Sequence, residues 1–147
     1  MRRTLTGLGT VLSLTTADAT VKVDPGPPPV SMAAQGYWAG EMVHDASGLK
    51  TNYPIKLLLH YWGGKFEYPS LNCSGTLKLV GDEGRRYAFY VEEVALGGYD
   101  TKTNNGCRGG AITAFFVGGE LAWRWSSAWD GGFATAQGQL KRTRPKD

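Results

Sequence analysis

The chain is 147 residues long, which suits one domain with tails; its apolar fraction of 41% supports a core, and 20% charged residues is ordinary for a soluble protein. The net charge of +3 does not come from the body: residues 36–140 carry nine Lys/Arg against ten Asp/Glu, and the excess sits at Arg2, Arg3 and the closing KRTRPKD. A nucleic-acid reader gathers its cations on one folded face, so no nucleic-acid partner is expected, and the basic tail at 142–147 reads as a solubilising segment.

Met1–Arg3 forms a short basic start, TLTGLGTVLSLTT a modest apolar run, and Ala17-Asp18-Ala19 a small-x-small cleavage pattern. Residues 1–19 therefore read as a signal peptide. Residues 20–35 read as a tether, because Pro25, Pro27, Pro28 and Pro29 favour a stiff extended chain with little to bury. The folded body is expected over 36–141. No stretch of 18 or more apolar residues occurs, so no helix is expected to span a membrane.

Alternation with period 2 runs through the body, the mark of half-buried strands. YWAGEMVH places Trp38, Gly40 and Met42 on one face. YPIKLLLHY does the same for Ile55, Leu57 and Leu59. Gly63-Gly64 then signals a hairpin turn before KFEY. SGTLKLV turns Gly75, Leu77 and Leu79 inward, and GDEG follows as a turn. RRYAFYVEEV puts Tyr87, Phe89 and Val91 on one face. After the long loop ALGGYDTKTNNGCRGG come AITAFFV, with Ile112, Ala114 and Phe116 together, and LAWRW, with Trp123 and Trp125 inward. The loop SSAWDGG leads to FATAQGQL, whose Ala134, Ala136 and Gly138 leave room for those tryptophans.

About eight strands joined mostly by tight turns predict an all-β antiparallel meander, closed or nearly closed into a small barrel because closure removes the sheet edges. A β-sandwich is the alternative. A barrel of eight strands is either filled by its own side chains or holds one small ligand.

The chain has two cysteines, Cys73 and Cys107. With His44 and His60 they match no zinc-site spacing, and there is no C-x-x-C. An even count behind an export signal fits a disulfide. Closing its loop of 35 residues would stabilise the fold by about 4 kcal/mol in the chain-entropy model. Two free thiols stay open as the alternative, and metal or redox chemistry as a third.

The order YWAGEM, YPIKLLL, YPSLNCSGTLKLV, GC-x-x-G, LAWRW and ATAQGQL resembles a small extracytoplasmic β domain of bacterial modular proteins, found for example C-terminal to receptor-like serine/threonine kinases. The resemblance covers residues 36–141, and its specific part is YPSLxCxGxL with a later cysteine. It implies a compact module with paired cysteines, and it carries no shared activity. The chain has no kinase motif, and it departs from the pattern by the YDTKTNN insertion before Cys107.

No GxSxG, HExxH or phosphate-binding loop occurs, and no cofactor or metal is expected. His44 and His60 are expected to face solvent. Asp82 and Glu83 are read as solvated turn residues. Glu92 and Glu93 are adjacent on one strand, so they face opposite sides and cannot pair. A catalytic reading would need Glu41 and Glu93, or His44, inside the barrel. The stronger signal is aromatic. Tyr61 and Trp62, Tyr99, and Trp129 with Phe133 lie at loops, where large rings must pack or bind something. Counting four strands between the Gly63-Gly64 and Asp130-Gly131 turns puts these loops at one end, as a rim with Asp100, Asn104 and Asn105. The alternative is that Trp62 and Trp129 plug the barrel ends.

These features predict a non-catalytic binding module, secreted or in the periplasm or cell envelope, whose partner is an envelope glycan, a peptide or another protein. An inhibitor of a partner enzyme such as a wall hydrolase, acting through the loop GGYDTKTNNGCRGG, is the alternative, and a small barrel enzyme is the second.

Overall fold

The computed structural model describes residues 26–46, 49–103 and 105–145. The segment read as a signal peptide, residues 20–25 of the Pro-rich stretch and Asn104 lie outside the described residues. Eight strands form the body: β1 (Gly36–Ala46), β2 (Leu49–His60), β3 (Gly63–Tyr68), β4 (Cys73–Glu83), β5 (Tyr87–Leu96), β6 (Ala111–Val117), β7 (Glu120–Trp129) and β8 (Gly132–Arg142). Each pairs antiparallel with the next, and β8 returns to β1 through pairs such as Trp38↔Arg142 and His44↔Ala136. The sheet is a closed barrel in simple up-and-down order, and the sandwich alternative falls away.

The core is the inward face of the alternation. Trp38, Met42, Ile55, Leu59, Phe66, Tyr90, Ile112, Leu121, Trp123 and Leu140 are fully buried. Trp123 lies between Ala114 of β6 and Gly138 of β8, and Trp125 between Ile112 and Ala136. Small residues beside large ones let the inner layers interdigitate at interior density, as the last strand's pattern predicted.

Four sequence expectations are corrected. The β2–β3 turn is Tyr61-Trp62, and Gly63 and Gly64 already belong to β3. They must be glycine because a Cβ at Gly63 would strike the Leu77 carbonyl oxygen and one at Gly64 that of Leu58. On β5 the inward residues are Ala88, Tyr90 and Glu92, whereas Tyr87 and Val91 are exposed. Both Glu41 and Glu93 are exposed on the outer wall, so neither enters the interior. The YAFYV run is apolar on both faces, and a one-residue shift in reading parity moves every side chain to the other side.

Third, the folded part starts before Gly36, the first residue of the expected body. A one-turn helix, α1 (Val30–Ala33), precedes β1, and Val30, Ser31 and Ala34 are buried against the barrel. The Trp38 indole donates to the Ala34 carbonyl at 2.7 Å. The Ser31 N–H and hydroxyl donate to Asp82 at 3.0 and 2.6 Å, so Asp82 is an anchor rather than a merely solvated turn residue. Arg142 donates to the carbonyls of Gln35 and Ala33 and lies 4.5 Å from the centre of the Trp38 ring. It therefore ends β8 and fastens α1, and the tail begins after it. Together α1 and Arg142 close one end of the barrel, called here the closed end.

The fourth follows from topology. Five strands, β3 to β7, separate the Tyr61-Trp62 turn from the Asp130-Gly131 turn, so the two turns lie at opposite ends.

Candidate functional site

The end opposite α1 gathers the last residues of β1, the start of β2, the β3–β4 turn, the β5–β6 loop and the β7–β8 hairpin. Between them lies a cavity of about 490 Å3, lined by His44, Thr51, Tyr53, Tyr68, Leu71, Tyr99, Gly106, Cys107, Arg108, Trp125, Trp129 and Ala134. That volume is in the range of small-molecule sites. A larger groove of about 710 Å3 runs along the outer wall, by Tyr37, Lys56, Leu58, Lys65 and Glu67. It lies on the outside of the sheet, bordered by the chain after β8 at Thr143–Pro145, and Tyr37 is its one exposed ring.

The long loop is held over the mouth by covalent and backbone links. Cys73, at the start of β4, is disulfide-bonded to Cys107, with Cα atoms 6.0 Å apart. The Cys107 N–H donates to the Gly97 carbonyl at 3.0 Å, Tyr99 N–H to the Cys107 carbonyl at 3.0 Å, and Asp100 N–H to the Asn105 carbonyl at 2.9 Å. The Asp100 carboxylate accepts the Lys102 N–H at 2.9 Å, a local side-chain turn. Gly97 has φ +75°, and a Cβ there would collide with the Asn72 carbonyl, so the loop can leave β5 only at a glycine.

This fastening places Arg108. Its guanidinium carbon lies 3.8 Å from the ring centre of Tyr99 and 4.3 Å from that of Trp129, a cation over two aromatic faces. Tyr99, Arg108 and Trp129 are all half-buried.

Behind the wall sits Glu92, 4% exposed. Tyr68 donates its hydroxyl to one carboxylate oxygen, and the Trp125 indole donates to the other at 2.9 Å. Burial pushes the Glu92 carboxyl up to about 7, against the downward pull of hydrogen bonds from Tyr68, Trp125 and the Gly110 backbone. Burial, with the Glu92 charge second, raises both Tyr68 and Tyr53, so both phenols stay protonated. The His44 Nδ1 lies 3.2 Å from the Tyr53 hydroxyl, and its ring is 5.5 Å from that of Trp125. Burial lowers the His44 pKa, Asp45 opposing it, which favours the neutral ring at pH 7. The neutral ring can accept the Tyr53 proton at Nδ1, leaving Nε2–H as a donor.

Of the expected rim, the structure brings together Tyr99 and Trp129, with Asn105 in the same loop. Tyr61 and Trp62 lie at the closed end, edge to face at 4.4 Å, with Trp62 76% exposed, so Trp62 plugs nothing. Phe133 is exposed, and its neighbour Ala134 is the β8 residue that lines the cavity. His60 is exposed as expected, but His44 is half-buried in the cavity wall rather than solvated. Arg108, Tyr53, Tyr68 and Glu92 were missed as site residues. A lone carboxylate at the inward spacing of Ala88 and Tyr90 was the available signal for Glu92.

Among the described residues, no three or more His, Cys, Asp or Glu come close enough to hold a metal ion. No helix there is long and apolar enough to cross a membrane. Compared with protein-family models, curated proteins and solved structures, the chain matches none of them. The fold and site define a closed eight-stranded meander barrel with one end plugged by a helix and an aromatic, disulfide-fastened pocket at the other.

Proposed function

We propose that the protein is a non-catalytic binding module of the cell exterior or envelope that takes one small organic ligand into the mouth of its barrel. The observation that carries this reading is the difference between the two ends. One is filled by α1, Trp38 and Arg142. The other holds a cavity of about 490 Å3 whose rings and polar groups come from five separate segments. Pre-positioned rings bind with little ordering cost, and the disulfide supplies that pre-positioning. The Cys73–Cys107 bond also supports an oxidising compartment. The resemblance to extracytoplasmic β domains points the same way.

The site supports binding better than catalysis. The Glu92 oxygens are both engaged by Tyr68 and Trp125, and Glu92 is not among the cavity-lining residues.

Tryptophan fluorescence tests the reading, because Trp125 and Trp129 line the cavity and Trp62 does not. A panel of sugars, short peptides, aromatic and acyl acids, and amines is titrated into the full chain. At least one class should shift the emission, and the shift should survive Trp62→Phe but shrink in Trp129→Phe. No shift with any class at millimolar concentration counts against the proposal.

A further inference from the structure

We propose that the mouth pocket selects small organic monocarboxylates with an aromatic or short acyl body, and that Arg108 reads the negative charge. This deepens the binding proposal above and rests on it. The Arg108 guanidinium carbon lies over two rings, 3.8 Å from the centre of Tyr99 and 4.3 Å from that of Trp129. A guanidinium meets aromatic rings through its flat faces and keeps its N–H edges, the geometry that takes a carboxylate with two parallel hydrogen bonds. Among the described residues the ion pair is Lys141 with Glu120, remote from the mouth, and no carboxylate claims Arg108. Glu92, which lies behind the cavity-lining Tyr68 and Trp125, is already engaged by both. A half-buried cation without an internal counter-charge favours an anionic ligand and disfavours a cationic one.

The remaining wall suits the body of such a ligand. Tyr53, Leu71 and Trp125 offer further apolar faces in the cavity lining. The His44–Tyr53 pair leaves an imidazole N–H as a second donor near the same opening. Arg108 cannot drift far, because its neighbour Cys107 is tied to Cys73 and to the Gly97 carbonyl.

Isothermal titration of the full chain with naphthylacetate, naphthylacetamide and naphthylmethylamine separates charge from shape. The acid should bind about tenfold or more tightly than the amide, as charge-assisted hydrogen bonds allow, with the amine weakest. In Arg108→Gln the acid should fall to the level of the amide, and Arg108→Lys should keep part of the preference. The wild-type ranking decides the matter even if a variant fails to fold. Acid and amide binding equally would overturn the charge selection and leave the pocket reading standing. Failure of all three probes to bind would overturn the carboxylate selection, and the pocket reading falls with it if no class of the wider panel shifts the tryptophan emission.

Discussion

Glu92 makes the stability of this barrel depend on pH in a direction opposite to that of most paired carboxylates. Its carboxyl titrates near 7 in the folded chain because burial disfavours its charge, against 4.5 for an ordinary glutamate. The folded state therefore keeps a proton that the unfolded state gives up. Below about pH 4.5 both states are protonated and Glu92 exerts no penalty. As pH rises from there to about 7 the unfolded state gains by ionising, and stability falls by about 1.4 kcal/mol per pH unit. Across the whole window the loss is about 3 kcal/mol, a large fraction of the net stability of a small domain. Glu92→Gln keeps the shape and can still accept one hydrogen bond, but it does not titrate. Urea unfolding of both proteins from pH 4 to 8, disulfide intact, isolates the effect, since other carboxylates cancel in the difference. The stability of wild type relative to Glu92→Gln should drop by about 3 kcal/mol between pH 4.5 and 7.5 and then level off. A difference that stays constant with pH would refute the reasoning.

Other outcomes follow from the same packing. Among the described residues the buried hydroxyl of Tyr90 has no hydrogen-bond partner, so Tyr90→Phe should be neutral or raise the melting temperature. Tyr68→Phe, in contrast, removes a donor from buried Glu92 and should cost about 1–3 kcal/mol in a denaturant melt. Trp123→Ala, at a fully buried site, should cost about 3–5 kcal/mol, whereas Trp62→Ala at the exposed turn should stay within about 0.5 kcal/mol. Replacing both Cys73 and Cys107 by Ser should lower stability by up to about 4 kcal/mol, and limited proteolysis should then cut first between Gly97 and Gly110.

The barrel was legible because its strands alternate cleanly and its turns are marked by glycine. Ile55–Leu59 buries every second residue, Trp38 and Met42 are buried on either side of half-buried Gly40, and Leu121, Trp123 and Trp125 are buried together on β7. Legibility failed where that code is ambiguous. Tyr87–Val91 is apolar on both faces, and a register shift between Leu79 and Gly81 in the facing strand leaves Val80 exposed. The helix α1 was hidden because a run of prolines precedes it, and its burial depends on partners as distant as Asp82 and Arg142. The site shows the same limit. Large rings near loops were visible one by one, but which end each occupies depends on counting five strands rather than four. Arg108 lies in a glycine-rich loop, and nothing local reveals that it meets a ring from β7. The cysteine pair was legible from count and context and proved to be what holds that loop in place.

Binding at the open end of the barrel is the property from which the other functional expectations follow. Amide and indole chemical shifts of labelled protein, followed during titration with naphthylacetate, locate the ligand directly. Shifts concentrated at Tyr53, Arg108, Trp125 and Trp129, with Tyr61 and Trp62 unmoved, are the predicted result. Shifts confined to the outer groove near Tyr37 and Lys65, or to the closed end, would contradict it.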